Sequence, residues 1–257
     1  MLMIREAQNK VFEERARHAF ELEMVAHLAE FSPPLFKTLG ERAMLDIVRF
    51  GMARAAQHGF DLRGPVRLYL EMMLLFGSYF DTDPQYPWAA DVLADRDAYQ
   101  MQRAEQLYGN ILDYQEKVDG PDDVYAQAAL GNIRLLAQQP LGLNTENFAD
   151  GARYELTRIY PQKAAYIGNT ALDALIRKGM DGARRQRFVT GRGAFLVVVL
   201  MLAFGHGCGA DPLYPWIVRT LRDEKITDPE TRAKRLEKKA LTWLEHVLAN
   251  FGKGERV

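Results

Sequence analysis

Apolar side chains recur every three to four residues along most of the chain. In the first stretch Val11, Ala19, Leu22, Val25, Ala26, Leu28 and Ala29 fall on one broad face, the spacing of a helix that buries one side. Pro33 and Pro34 stop this helix, because proline has no N–H to donate and its ring clashes with the preceding turn. The pattern predicts a second helix from Leu35 to His58, ended by Gly59, and a third from Gly64-Pro65 to Phe76. Pro65 suits a first helical turn. An irregular phrase follows; Pro87 then opens a helix to Asp95, and a long helix is predicted from Asp97 to Val118. No stretch alternates with period two between turn pairs, so no sheet is expected and the fold class is all-α.

The irregular phrase occurs twice. FGSYFDTDPQYPW runs from Phe76 to Trp88, and FGHGCGADPLYPW from Phe204 to Trp216, 128 residues later. At that offset, without gaps, the 74 columns from Phe20 to Leu93 contain 21 identities. With one inserted residue, RAEQLYGNILDYQEKV (103–118) lies over RAKRLEKKALTWLEHV (232–247). Self-similarity at a fixed period is the mark of a repeated structural unit. The expected architecture is two tandem pseudo-symmetric helical repeats of about 100 residues packed as one globular unit. Residues 1–118 form the first, 148–257 the second, and 119–147 connect them through a short helical pattern, VYAQAALGNIRLLAQQ.

Bulk composition narrows the class. The chain has 257 residues, 48% of them hydrophobic and 26% charged, as in a soluble globular protein. The single Cys208 precludes an intramolecular disulfide and fits a reducing compartment. The start, MLMIREAQNK, is not that of a signal peptide. The longest apolar run, Ala194–Phe204, is half the length that a bilayer requires. A cytoplasmic location without membrane contact is the expectation. Net charge is −1 but uneven: residues 1–128 carry 13 Lys+Arg against 21 Asp+Glu, and residues 129–257 carry 20 against 13. The halves are therefore −8 and +7, enough to steer an asymmetric partner.

Few polar side chains survive in both repeats: Arg49/Arg177, Asp83/Asp211 and Tyr86/Tyr214. An Asp before Pro suits a cap on backbone N–H groups, and an arginine fork suits a carboxylate. Asp83 and Asp211 are expected to cap the two phrases, each near its own Arg49 or Arg177, with Trp88 and Trp216 anchoring the phrases to the core. Arg67 and Glu71, four apart on one helix, are expected to pair on a partly exposed face; Phe195 and Val199 replace both in the second repeat. Tyr79, Phe80 and Asp81 become Gly207, Cys208 and Gly209, and are read as an exposed contact loop of the first repeat. The Arg184, Arg185 and Arg187 run is a second candidate contact patch. No catalytic residue, metal site or cofactor motif is assigned: HExxH, paired CxxC, GxxxxGK[ST] and GxGxxG are all absent. His206 and Cys208 lack a third partner for nucleophilic chemistry. The neutral overall charge and sparse aromatic interleaving point away from nucleic acid.

The phrase FG-x-x-FDTDP-x-x-PWA, carried here by Phe76, Gly77, Phe80, Asp81, Thr82, Asp83, Pro84, Pro87, Trp88 and Ala89, resembles one shared by a group of bacterial proteins. The resemblance covers roughly residues 5–95, and the second repeat departs from it at Cys208, Gly209 and Ala210. Genes of that group lie beside toxin and spike genes of the type VI secretion system. The resemblance implies an adaptor, chaperone or immunity protein for a secreted toxin. The leading expectation is therefore a non-enzymatic protein-binding module. The alternative is a small-molecule or metal-binding enzyme using the Asp81/Asp83 loop with Arg49.

Overall fold

The computed structural model describes residues 6–143 and 146–251, whose regular secondary structure is helix, with no strand among them. Helix α1 (Glu6–Phe31) stops at the Ser32–Pro33 step, and α2 (Pro33–Leu39) starts on the proline. Next come α3 (Glu41–Gln57), α4 (Arg63–Phe76), α5 (Pro87–Ala94) and α6 (Gln100–Tyr114), the last ending in a wide turn at Gln115–Asp119. Helix α7 (Val124–Ala137) occupies the connecting segment. The second half contains α8 (Phe148–Ile159), α9 (Pro161–Arg185), α10 (Gly191–Phe204), α11 (Pro215–Leu221) and α12 (Pro229–Phe251).

The helix predicted from Leu35 to His58 is two helices, α2 and α3, because Gly40 takes φ +79° between them. That left-handed region is open to glycine at little cost. Gly168, 128 residues later, takes φ +75° and kinks α9 at the corresponding place. The long helix predicted from Asp97 starts only at Gln100, since Asp95 turns the chain by accepting from the Asp97 and Ala98 N–H groups.

Two apolar cores form. In the first, Leu28, Met44, Val48, Leu70, Met73 and Leu107 are buried between α1, α3, α4 and α6. In the second, Leu156, Leu175, Val198, Met201 and Leu236 are buried between α8, α9, α10 and α12. Leu213 of the second phrase enters the first core, and Tyr160 and Tyr214 touch both. Helix α7 lies against α8 and α12 and roofs an apolar cleft of about 670 Å³, part of it open to solvent. The apolar run expected to be a core helix is α10, with Val197, Val198, Leu200, Met201 and Leu202 buried. Among the described residues no helix is long and apolar enough to cross a membrane.

Candidate functional site

The two phrases meet at the centre of the molecule. Each begins with a helix ending on glycine: Gly77 takes φ +90° and Gly205 φ +84°. A Cβ on Gly77 would lie 2.6 Å from the Phe204 carbonyl oxygen, and one on Gly205 would lie 2.8 Å from that of Phe76. Only glycine permits both this backbone conformation and this approach. Asp83 then reaches across: its Oδ2 accepts from the His206 N–H at 2.6 Å while Oδ1 accepts from its own Gln85 N–H at 2.9 Å. Asp211 does the converse, accepting from the Ser78 N–H at 2.7 Å and Oγ at 2.6 Å, and from its own Leu213 N–H at 2.9 Å. Both carboxylates are buried. Each satisfies amides of the opposite half that would otherwise be stranded away from water, a loss of about 1–3 kcal/mol per group. Burial raises the Asp211 carboxyl above its ordinary range, and the bonds from Ser78 and Leu213 offset part of that rise.

The aromatic anchors repeat in the same manner. Phe76 stacks on Tyr86 at 4.7 Å and meets Trp88 edge-on at 5.8 Å; Phe204 stacks on Tyr214 at 4.6 Å and meets Trp216 at 5.8 Å. Trp88 and Trp216 thus pack on their respective cores.

The capping expectation holds, but its arginine part is overturned. Arg49 Nε donates to Glu21 at 2.9 Å, because α1 presents that buried carboxylate directly to α3. Arg177 sits on an exposed turn of α9, while Asp211 is spent on Ser78 of the first half and on its own Leu213 N–H. The exposed contact loop is likewise not formed by Phe80 and Asp81. Phe80 is buried against Tyr69 at 4.8 Å, and Asp81 is 5% exposed. Tyr79 is partly covered, with Arg54 over its ring at 4.8 Å.

Asp81 is instead the hub of a polar cluster. It accepts from Tyr69 Oη at 2.8 Å, from His58 Nε2 at 2.9 Å and from Arg54. Burial pushes its carboxyl up, but the bonds from His58, Arg54 and Tyr69 together outweigh this and bring it down to about 2. Burial raises the Tyr69 hydroxyl well above its ordinary range, and the Asp81 charge adds to this. Sequence reasoning missed Arg54, His58 and Tyr69. The signal was present: their counterparts are Gly182, Gln186 and Val197, and that of Asp81 is Gly209. None of the four side chains recurs at that offset.

Asp81 and Asp83 therefore face different neighbours, and neither is beside Arg49. Among the described residues no three His, Cys, Asp or Glu side chains converge as metal ligands would. Cys208 is buried, and burial pushes its thiol up to about 12, so it is not a nucleophile at neutral pH. Lys163 is a further buried cation, donating to the Leu202 carbonyl at 2.9 Å; burial lowers it to about 8 against the pull of Asp83 and Asp119.

Two surface features remain, one basic and one apolar. Arg184, Arg185 and Arg187 are exposed at the end of α9, with Arg184 3.1 Å from Asp181 and Val189 exposed beyond them. In the first half Phe31, Leu75, Tyr108 and Leu112 stand 40%, 41%, 55% and 49% exposed on α1, α4 and α6. Arg67 Nε donates to Glu71 at 2.9 Å on the same α4, as the spacing predicts, and His27 of α1 bonds Glu71 at 2.6 Å. No protein-family model matches the chain, and neither a curated protein nor a solved structure matches it.

Proposed function

We propose that this chain is a non-enzymatic protein-binding module, an adaptor, chaperone or immunity protein for a secreted bacterial toxin. The observation that carries the binding reading is the surface of the first half. Four large apolar side chains of three different helices stand open to water there, a concentration characteristic of interaction faces. The toxin-associated role draws on the resemblance in the FDTDP phrase. The polar groups that an enzyme would need are committed internally: Asp81 to Arg54, His58 and Tyr69, and Asp83 and Asp211 to backbone amides.

The halves are, in this reading, pseudo-symmetric repeats of one ancestral unit. The exchanged bonds of Asp83 and Asp211, the paired glycine conformations and the matched aromatic triplets support it. A repeat that once paired with its twin retains complementary faces at the joint and leaves its outer faces to diverge.

Affinity capture of the tagged chain from lysate of its source, with mass spectrometry, tests the binding role. A near-stoichiometric polypeptide lost on Leu75→Glu/Leu112→Glu or on Arg184→Glu/Arg185→Glu/Arg187→Glu supports it. Retention of no polypeptide, or retention unchanged in both variants, refutes it.

A further inference from the structure

The exposed apolar residues of the first half occupy specific places in the repeat. Ile159, Phe195, Leu196, Val199, Ala203, Glu237 and Leu241 line the cleft beneath α7. At an offset of 128, or 129 beyond the inserted residue, these correspond to Phe31, Arg67, Leu68, Glu71, Leu75, Tyr108 and Leu112. Four of the large exposed apolar side chains of the first half, Phe31, Leu75, Tyr108 and Leu112, are thus counterparts of residues under α7. In both halves the central helix is flanked by the same neighbours: α10 touches α8 and α12, and α4 touches α1 and α6. The second half fills the valley with Leu130, Ile133, Leu136 and Ala137 of α7. No described helix beyond the valley's own three helices is placed over its first-half counterpart.

From this we infer that the first-half valley, between α1 and α6 over α4, is a docking groove for a basic amphipathic helix of a partner protein. The inference rests on the protein-binding reading above and specifies its partner. The helical form follows from α7, which lies in the equivalent valley with apolar residues at i, i+3, i+6 and i+7, the spacing of one helix face. The charge follows from the walls. Along α6 and its terminal turn, Glu105, Tyr108, Leu112 and Glu116 share one exposed face with two acids and no base; the corresponding α12 positions are Lys234, Glu237, Leu241 and Glu245, of mixed sign, and Lys238 and Lys239 replace Gly109 and Asn110. Glu30 is exposed beside Phe31 on α1, and the half as a whole carries −8. The exposed Arg67 on the valley floor is already paired with Glu71, which leaves Glu30, Glu105 and Glu116 beside the apolar anchors; such a surface selects a helix with apolar residues on one face and Lys or Arg at its margins. The exposed part of this chain's own α1 carries Lys10, Arg15 and Arg17 beside Glu13 and Glu14, so charge alone does not separate a second copy from a partner protein, and the oligomeric state is read in the test below.

The probe is a fluorescein-labelled peptide of residues 124–139 with Ala128, Leu135 and Gln138 changed to Lys. Ala128 and Leu135 are exposed in α7 and Gln138 is exposed at its C-terminal cap, away from the cleft-lining residues. A second peptide carries Glu at the same three positions. Anisotropy titrations use the full chain at low and physiological salt. The basic peptide is expected to bind saturably and at least about tenfold more tightly than the acidic one, with the margin shrinking as salt rises. Leu112→Lys and Leu75→Lys, both at exposed positions compatible with folding, are each expected to weaken binding by about tenfold or more. Val189→Lys, on the other half, is expected to leave it unchanged. Absence of saturable binding by the basic peptide up to about 1 mM, where any affinity is marginal, overturns the inference. So does equal binding to the Leu112→Lys chain, or a concentration-dependent dimer that Leu112→Lys dissolves. If capture yields a polypeptide while the peptide fails, the groove assignment falls and the binding function stands; if capture yields nothing, the function itself falls.

Discussion

Asp83 and Asp211 each cap the other's half: Asp83 accepts from the His206 N–H at 2.6 Å and Asp211 from the Ser78 N–H at 2.7 Å. The two donors stand 128 residues apart, as the two phrases do, since His206 follows Ser78 at that offset. Both phrases carry Asp-Pro, whereas Phe80-Asp81-Thr82 occurs in the first alone. The former holds the joint between the halves; the latter serves a cluster inside one half.

Asp211→Ala removes the acceptor of three donors at once: the Ser78 N–H and Oγ and the Leu213 N–H. Stranding these buried groups is expected to destabilise the chain by about 2–4 kcal/mol. Denaturant unfolding checks this. The Asp83→Ala/Asp211→Ala double variant is expected to lose less than the sum of the singles, because the first loss already loosens the joint. A strictly additive result would separate the two caps.

Arg187 holds φ +59° where its counterpart Gly59 holds φ +73°, at matching helix ends. The capping bonds correspond as well: Phe60 N–H to the Ala55 carbonyl and Phe188 N–H to the Ala183 carbonyl, both at 3.0 Å. Arg187→Gly relieves the left-handed strain and is expected to stabilise by about 0.5–1 kcal/mol. Gly59→Ala is expected to destabilise by a similar amount or more. Thermal denaturation of the two variants reads both signs.

Asp81 supplies a pH signature. Its carboxyl titrates near 2 in the folded chain against the ordinary 3.8. A depressed acid contributes stability that is complete above its unfolded pKa and is lost as pH falls through the folded value. The shift corresponds to about 2 kcal/mol. The stability difference between the native chain and Asp81→Asn is therefore expected to be largest above pH 4 and to shrink between pH 4 and 2. Urea midpoints at pH 5, 4 and 3 follow it, and a difference independent of pH would contradict the network.

Cys208 is 3% exposed with its thiol pushed up to about 12. Thiol reagents are expected to modify the native chain orders of magnitude more slowly than the unfolded chain at pH 8. Rapid native labelling would show that the joint opens readily.

Much of the fold was legible in the sequence because helices announce themselves by spacing, and prolines and glycines mark their ends. The all-helical class, the helix start at Pro87, a start at Arg63 close to the predicted Gly64-Pro65 and the Arg67–Glu71 pair follow from local periodicity. The break at Gly40 was missed because glycine is tolerated inside helical patterns, and only its backbone angle distinguishes the two uses. The capping role of Asp83 and Asp211 was legible, but not its exchange between halves, because a carboxylate that can cap locally carries no mark of which chain segment it will meet. Arg49 was assigned to the wrong acid for the same reason: Glu21 sits 28 residues away, and long-range pairing leaves no periodic trace. The Asp81 cluster draws on α3, α4 and the phrase, so it emerges only when the repeat columns are compared or the helices are packed.

The most direct measurement is hydroxyl-radical footprinting of the chain alone and with the polypeptide it retains. Protection of Phe31, Leu75, Tyr108 and Leu112 is expected, with Tyr154 and Val189 of the second half, exposed in the free chain, unchanged. Protection confined to the second half, with Tyr108 and Leu112 as reactive as before, would contradict it.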